Sequence, residues 1–189
     1  TLTDGYLVGF DTQFAYQFTT PALGWQRLGT AVWTGTDSDF HSTVNFISVQ
    51  AYTFLLFVVN NVSADGIKYW DNTAWTTITP QYSATATDVI NTAQYVAVYK
   101  NRVLLFNTTE DVTTAGPVVT ERNFIDRIRY SALNDPTSAN AWRQDLNAGR
   151  LDLGTRDPII GVALIQDRLI ISCNKSTWML VDTGNPDLP

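Results

Sequence analysis

One pattern recurs three times along this chain and limits what the chain can fold into. Each copy is an apolar strand, a short polar turn and a second strand that is more apolar than the first. The copies occupy residues 47–57, 96–106 and 162–172. Aligning Phe54, Val103 and Leu169 as equivalent positions gives offsets of 49 and 66 residues. A recurring strand pair predicts several copies of one small antiparallel sheet.

A second element follows the hairpin in the repeat: an aromatic strand, a polar loop and a Trp. Together the two elements describe a sheet of four strands, which is typical of a β-propeller blade. We expect Trp75 and Trp142 to anchor outer strands by burying a large area, and Arg102 and Arg168 to hold equivalent hairpin turns. The full set of predicted repeat anchors is Trp25, Trp75, Trp142, Tyr69, Tyr130, Arg102 and Arg168.

Composition agrees with a β-rich chain. Thr fills about one position in seven, and charged residues are 16% against about 25% in an average soluble protein. We predict an all-β fold consisting of one β-propeller-like domain, with about three to four blades of four antiparallel strands. The unequal offsets leave a β-sandwich as the alternative. The predicted blades are 1–43 (partial), 44–92, 93–157 and 158–189 (partial), as expected for an excerpt of a longer propeller.

Two regions are interpreted as irregular. The extra length between the second and third hairpins is placed in a Thr-rich loop at residues 108–123 and in residues 133–157. The single helix candidate is residues 138–146, which follow Asp135-Pro136 and contain Trp142.

Charge and hydropathy exclude several classes of partner. The chain has 12 basic and 18 acidic residues, a net charge of -6, and a surface of that sign repels nucleic-acid phosphates. No apolar run approaches the roughly 20 residues that span a bilayer. Cys173 is the single cysteine and is expected to be a buried thiol, since residues 169–173 are mostly apolar. We predict no specific nucleic-acid binding and no membrane association.

The residues carry no strong signature of catalysis. His41 is the single histidine, and no Gly-x-Ser-x-Gly elbow or phosphate-binding glycine loop accompanies it. Asp37 and Asp39 could serve calcium by their spacing, but a solvated turn explains them more simply. Asp65-Gly66 is interpreted as an ordinary turn, although Ser63–Trp70 is similar to the Asp-box of sialidase-like propellers. We predict no catalytic residue, no metal and no cofactor, and hence a protein that is not an enzyme.

The stretch from Arg127 to Ile171 carries the most specific resemblance. It contains a basic-aromatic-Ser strand ending at Ser131, then Asp135-Pro136, Trp142, Ile159-Ile160-Gly161 and Asp167-Arg168-Leu169-Ile170. This order resembles the blade pattern of β-propeller proteins in the tails of double-stranded DNA bacteriophages. The resemblance covers residues 95–182 well and residues 44–80 loosely.

The resemblance implies a structural role in the virion. Such proteins form the nozzle or hub below the portal, or another tail component, usually in several copies around the DNA channel, and have no catalytic residues. The expected partners are therefore other tail proteins and further copies of the chain, and the expected location is the phage tail. Acidic loops at residues 36–39, Glu110-Asp111 and Asp135 are expected to face a lumen or a neighbouring subunit. The alternative is a carbohydrate-binding propeller, lectin-like or receptor-binding, whose exposed aromatic rings stack on sugars; a glycosidase fragment is a third hypothesis.

Overall fold

The computed structural model describes residues 7–48, 53–114 and 118–182. These residues form an all-β fold, which confirms the predicted class: fourteen strands make four antiparallel sheets. The strands are β1 (Leu7–Phe10), β2 (Ala15–Thr20), β3 (Gly24–Arg27), β4 (Ser42–Ser48), β5 (Thr53–Val59), β6 (Ile67–Trp70), β7 (Trp75–Ile78), β8 (Val89–Tyr99), β9 (Arg102–Thr113), β10 (Val119–Tyr130), β11 (Gly149–Asp152), β12 (Ile159–Ile165), β13 (Arg168–Cys173) and β14 (Thr177–Leu180).

Each sheet is a meander, in which strands that follow one another in sequence are neighbours in space. The first sheet is β1–β3, the second β4–β7, the third β8–β11 and the fourth β12–β14. The positions aligned by the sequence repeat are equivalent in this topology. Phe54, Val103 and Leu169 are each the second residue of a sheet's second strand, and they pair with Ile47, Val98 and Leu164 of the first strand.

The sheets pack face to face in chain order, with one apolar cluster in each of the three spaces between them. In β5, Phe57 and Val59 belong to the cluster shared with the third sheet, while Val58 belongs to the cluster shared with the first. All three are fully buried. A strand covered on both faces is apolar without alternation, which explains the continuous run in this segment. Burying each such side chain contributes about 1.5–3 kcal/mol.

The predicted Thr-rich loop is wrong. Residues 108–113 belong to β9 and residues 119–123 belong to β10, and the two strands remain paired from Thr108↔Phe124 to Thr113↔Val119. β8 also pairs with β9 here, from Ala93↔Thr108 to Val89↔Asp111, so the two strands are without a third only beyond Asp111. β-branched Thr and Val suit such strands. The Gly116-Pro117 pair, which suggested a loop, lies outside the described residues.

The helix candidate at residues 138–146 is also only partly right. It forms two short 3-10 turns, Ala139–Trp142 and Gln144–Leu146, and then β11 closes the third sheet against β10. β11 had no sequence signal because Gly149, Arg150 and Asp152 are not strong strand formers. The third sheet begins at Val89, four residues before the start assigned to its blade.

Candidate functional site

A buried polar network connects the second sheet to the segment that precedes it. Asp65 is 3% exposed, and its carboxylate accepts hydrogen bonds from the backbone N–H of Thr34 (2.9 Å), from the Thr34 hydroxyl (2.9 Å) and from Asn60 Nδ2 (2.6 Å). Lys68 Nζ donates to the backbone oxygen of Asp65. Asp65-Gly66 is therefore more than an ordinary turn, because its carboxylate holds the 28–41 connection against the sheet.

His41 lies beside this network and among aromatic rings. Its imidazole stacks on Phe10 at 4.9 Å between centroids and meets Trp33 edge-on at 5.3 Å. Burial lowers the pKa of His41, while the nearby Asp65 carboxylate opposes that shift. Nε2 is buried and has no hydrogen-bond partner among the described residues. Burial therefore favours the neutral imidazole, and its Nε2 is available for a further hydrogen bond.

A cavity of about 340 Å³, lined by both polar and apolar groups, opens next to His41, between the second and third sheets. Small-ligand sites are typically about 300–1,000 Å³, so its size suits a small molecule. Much of its lining is already engaged: Asn60 bonds to Asp65, Gln94 Oε1 accepts from Asn107, and Asp39 accepts from Thr36. The residues that line the cavity are Ser38, Asp39, Phe40, His41, Ser42, Asn60, Asn61, Gln94 and Tyr95.

Among the described residues, the cavity does not pair His41 Nε2 with the neighbouring Ser42. Ser42, the neighbour of His41, accepts a hydrogen bond from the backbone N–H of Val96. His41 Nε2 makes no bond to a hydroxyl or carboxylate, as nucleophilic catalysis would need. In the part of the chain that the structure describes, no group of three or more His, Cys, Asp or Glu side chains could hold a metal ion.

A charged cluster surrounds Glu110, which lies on β9 between its partners Ile90 on β8 and Arg122 on β10. Glu110 is fully buried. Arg129 binds its carboxylate bidentately, donating from Nε to Oε1 at 2.9 Å and from Nη2 to Oε2 at 2.6 Å. Arg127 Nη1 donates to the same carboxylate at 3.0 Å, and its Nε donates to Asp152 at 2.7 Å. The expectation that Glu110 faces a lumen is therefore wrong, because its charge is paired inside the protein.

The same cluster is covered by aromatic rings. Arg129 lies 4.1 Å from the ring centroid of Tyr82 and Arg127 lies 3.6 Å from that of Phe124. Burial raises the pKa of Tyr82 to about 12, with the nearby acidic groups adding to the shift. Two arginines, two carboxylates and two rings thus form a cluster, called the clamp below, that joins β9, β10 and β11.

The predicted Trp anchors occupy three different environments. Trp75 lies on β7, the last strand of the second sheet, and donates from Nε1 to the backbone oxygen of Leu28 at 2.7 Å. Trp142 is 1% exposed, but it lies on a 3-10 turn, so its predicted place on an outer strand is wrong. Trp25 lies on β3 and is 48% exposed, so its predicted packing role does not hold within this chain.

The two tyrosine anchors lie on the third strands of their sheets. Tyr69 on β6 is half-buried and packs against the cluster between the second and third sheets. Tyr130 on β10 is buried in the cluster between the third and fourth sheets, with the Arg102 guanidinium 5.5 Å from its ring centroid.

Arg102 and Arg168 hold equivalent places but have different surroundings. Each is the first residue of its strand after a two-residue turn, paired with Tyr99 and Ile165 respectively. Arg102 is 2% exposed and donates to the backbone oxygens of Ser131 and Asn147, both at 2.6 Å. Arg168 is exposed. The repeat therefore predicted the position of both arginines in their hairpins. The burial of Arg102 depends on the long connection between β10 and β11, which supplies both of its acceptors.

The two ends of the sheet stack expose apolar side chains. On the first sheet, Leu7 is 63% and Trp25 48% exposed; on the fourth, Ile165 is 58% and Met179 50% exposed. Exposed apolar patches of this kind mark interaction surfaces. The sequence alone could not identify them, because the same residue types in the middle sheets are buried.

Two further observations concern partners. Cys173 is buried, as expected, and burial raises the pKa of its thiol. No helix formed by residues 7–48, 53–114 and 118–182 has the length and hydropathy needed to cross a bilayer. The chain matches no protein-family model, and no curated protein matches it.

Proposed function

We propose that this chain is a non-enzymatic β-propeller building block of a bacteriophage virion, in the tail nozzle or hub or another tail component. The observation that carries the proposal is the serial, face-to-face packing of four meander sheets in chain order. A β-sandwich would place its strands in two facing layers around one core. Blades of a propeller pack one after another, each covering the next.

The neighbours of individual strands support a radial arrangement. β8 contacts both β4 and β12, so the first strands of three successive sheets are adjacent. At the other edge of the second sheet, Trp75 on β7 reaches the residue that follows β3. The first strands of successive sheets therefore lie near one another, and the last strand of the second sheet lies near the end of the first. Blades around a common axis have this order.

The radial arrangement can be tested with two pairs of spin labels, in a Cys173→Ser background. One pair is placed at exposed positions on the first strands, Asn45 and Ala163; the other is placed farther out, at Thr77 on β7 and Met179 on β14. Blades around an axis diverge outward, so the outer pair should be clearly farther apart than the inner pair. Equal distances would contradict the propeller.

The assignment to a virion rests on the resemblance of residues 95–182 to phage tail propellers. The net charge of -6 fits a protein beside a DNA conduit, because an acidic surface does not retain the duplex. Tagging the protein in the phage that encodes it and labelling purified particles tests the location. Label at the tail is expected, and particles that lack the protein would contradict the proposal. Retention of duplex DNA at low salt would contradict the conduit role.

The cavity beside His41 favours carbohydrate binding as a second candidate function. Amide, hydroxyl and imidazole groups beside an exposed ring, that of Phe40 (82% exposed), are the kinds of polar and aromatic groups that a small-molecule site presents. A glycan array separates the two functions. Selective binding of a glycan that is abolished by His41→Ala would support the cavity as a sugar site. An array without selective binders would contradict carbohydrate binding and favour the structural function.

A further inference from the structure

The cavity beside His41 carries a negative charge and no positive one. Asp39 is the single acidic side chain among the described residues that line it, and none of these residues is a lysine or an arginine. Lys68 acts on the His41 imidazole electrostatically, but its Nζ donates to the backbone oxygen of Asp65 and lies 5.4 Å from the ring centroid of Trp33. A ligand in the cavity therefore meets a carboxylate that no cationic side chain of the described lining neutralises.

The Asp39 carboxylate is ionised and positioned by its own loop. Its Oδ2 accepts hydrogen bonds from the backbone N–H and the hydroxyl of Thr36, both at 2.8 Å, and these bonds hold the pKa of Asp39 below its ordinary value. Gly35 packs against the same side chain, because a Cβ added at Gly35 would lie 3.1 Å from the Cβ of Asp39 and 3.3 Å from Asn60 Nδ2. Groups that are positioned before binding lose little entropy when a ligand arrives. The loop therefore presents Asp39 as a fixed negative charge.

The other polar groups of the lining are neutral and include both donors and acceptors. Gln94 Oε1 accepts a hydrogen bond from Asn107 Nδ2 at 2.5 Å, which fixes the amide and leaves Gln94 Nε2 as a donor. Asn61 and Tyr95 also line the cavity, and each can donate and accept. Because a hydroxyl both donates and accepts, a ligand with several hydroxyls can use this lining. One of those hydroxyls can donate to Asp39, and a hydrogen bond to a charged acceptor is stronger than one between neutral groups.

We propose that this cavity binds neutral or amino sugars and rejects acidic ones, and that Asp39 is the residue that determines this charge selectivity. The inference rests on the second candidate function, carbohydrate binding. A sugar with a carboxylate would place its charge beside that of Asp39 with no lysine or arginine of the described lining to compensate it, and such a repulsive contact excludes a ligand. The ammonium group of an amino sugar would instead form a charge-assisted hydrogen bond with Asp39.

The exposure of Asp39 limits the size of this selectivity. Water screens the charge of a partly exposed carboxylate, so its effect on a ligand is much smaller than that of a buried charge. We expect an acidic sugar to bind about tenfold more weakly than its neutral counterpart at low ionic strength. The net charge of -6 acts in the same direction. Because salt screens exposed charges, the difference between the two sugars should shrink at high ionic strength.

The test compares sugars that differ in charge but share the configuration of the ring. The methyl glycosides of glucose, glucosamine and glucuronic acid form one such set, and the galactose and mannose series supply two more. Saturation-transfer NMR detects binding, and titration gives the affinity of each sugar. In a series that binds, the neutral and amino sugars should bind at least about tenfold more tightly than the uronic acid. A uronic acid that binds as tightly as its neutral counterpart would overturn the inference.

Two variants of the loop assign the selectivity to one carboxylate. Asp39→Asn keeps the shape of the side chain and removes its charge, so the difference between uronic acid and neutral sugar should fall from about tenfold to less than about twofold. Asp37→Asn removes an exposed charge from the same loop that does not line the cavity, and it should leave the selectivity unchanged.

The outcomes separate the inference from the function on which it rests. Rejection of uronic acids that persists in a folded Asp39→Asn variant, as judged by circular dichroism, would contradict the role of Asp39. Binding of acidic and neutral sugars with equal affinity would overturn the inference and leave carbohydrate binding intact. If no sugar of any charge binds, carbohydrate binding itself fails, and the inference fails with it.

Discussion

Removing the Trp142 indole is the sharpest test of how the third sheet is stabilised. The side chain is 1% exposed and lies in the cluster between the second and third sheets, although Trp142 belongs to a 3-10 turn and not to a strand of either sheet. Its Nε1 donates to the backbone oxygen of Pro136 at 3.1 Å. The ring therefore fills the space between two sheets and also closes the loop that carries it.

The magnitude follows from those two contributions. Truncating a buried Trp to Ala costs about 3–5 kcal/mol through lost burial and the cavity that remains. The lost hydrogen bond leaves a carbonyl without its donor and adds about 1 kcal/mol, so we expect Trp142→Ala to lower the free energy of unfolding by about 5 kcal/mol. For a chain of this size, about 2–4 °C per kcal/mol converts this into a Tm lower by about 10–20 °C.

Urea denaturation followed by circular dichroism, together with calorimetry, measures both quantities. Trp142→Phe keeps most of the ring but loses the donor, and it should cost about 1–2 kcal/mol. Phe40→Ala, at a ring that is 82% exposed, is the matched control and should change stability by less than about 0.5 kcal/mol. A Trp142→Ala variant within 1 kcal/mol of the wild type would refute the proposed burial between the sheets.

Three other perturbations have defined outcomes. Glu110→Gln leaves two buried arginines without their shared carboxylate and should cost about 3–5 kcal/mol by urea denaturation; exposed Glu121→Gln is its control, and equal effects would contradict the clamp. Both Gly29 and Gly24 have a positive φ, of +71° and +64°. In Gly29→Ala the added Cβ would lie 2.8 Å from the Trp75 ring, whereas in Gly24→Ala it meets nothing within 4 Å. Gly24→Ala should therefore cost only the backbone strain, about 1 kcal/mol, and Gly29→Ala clearly more; equal losses would argue against close packing there. Because burial lowers the pKa of His41, the unfolded chain binds the proton more readily, so stability is full above the unfolded pKa of about 6.5 and falls as the pH drops below it. In His41→Phe the loss of stability below about pH 6.5 should disappear, and a persistent loss would assign it to other groups.

The sequence determined the repeating strand pairs because their signal is local. An apolar strand, a polar turn and a second apolar strand specify a hairpin whatever surrounds them, so the equivalence of Phe54, Val103 and Leu169 followed from the sequence alone. The all-β class followed for the same reason. Strand β11 could not be predicted from its own residues, because it lacks strong β formers. It forms because β10 pairs with it.

Tertiary structure alone decided which faces are covered. A period of two residues tells which side chains share a face of a sheet, but it does not say whether another sheet lies on that face. Trp25 and Trp142 have the same indole, yet one is half exposed and the other buried, because one faces outward from an end sheet and the other fills the space between two sheets. Tertiary structure also explains why Glu110 is buried and Arg168 exposed. A charged side chain is buried only where another strand supplies a partner for it. Glu110 and Arg129 form such a pair across two strands, which their distance in the sequence does not reveal.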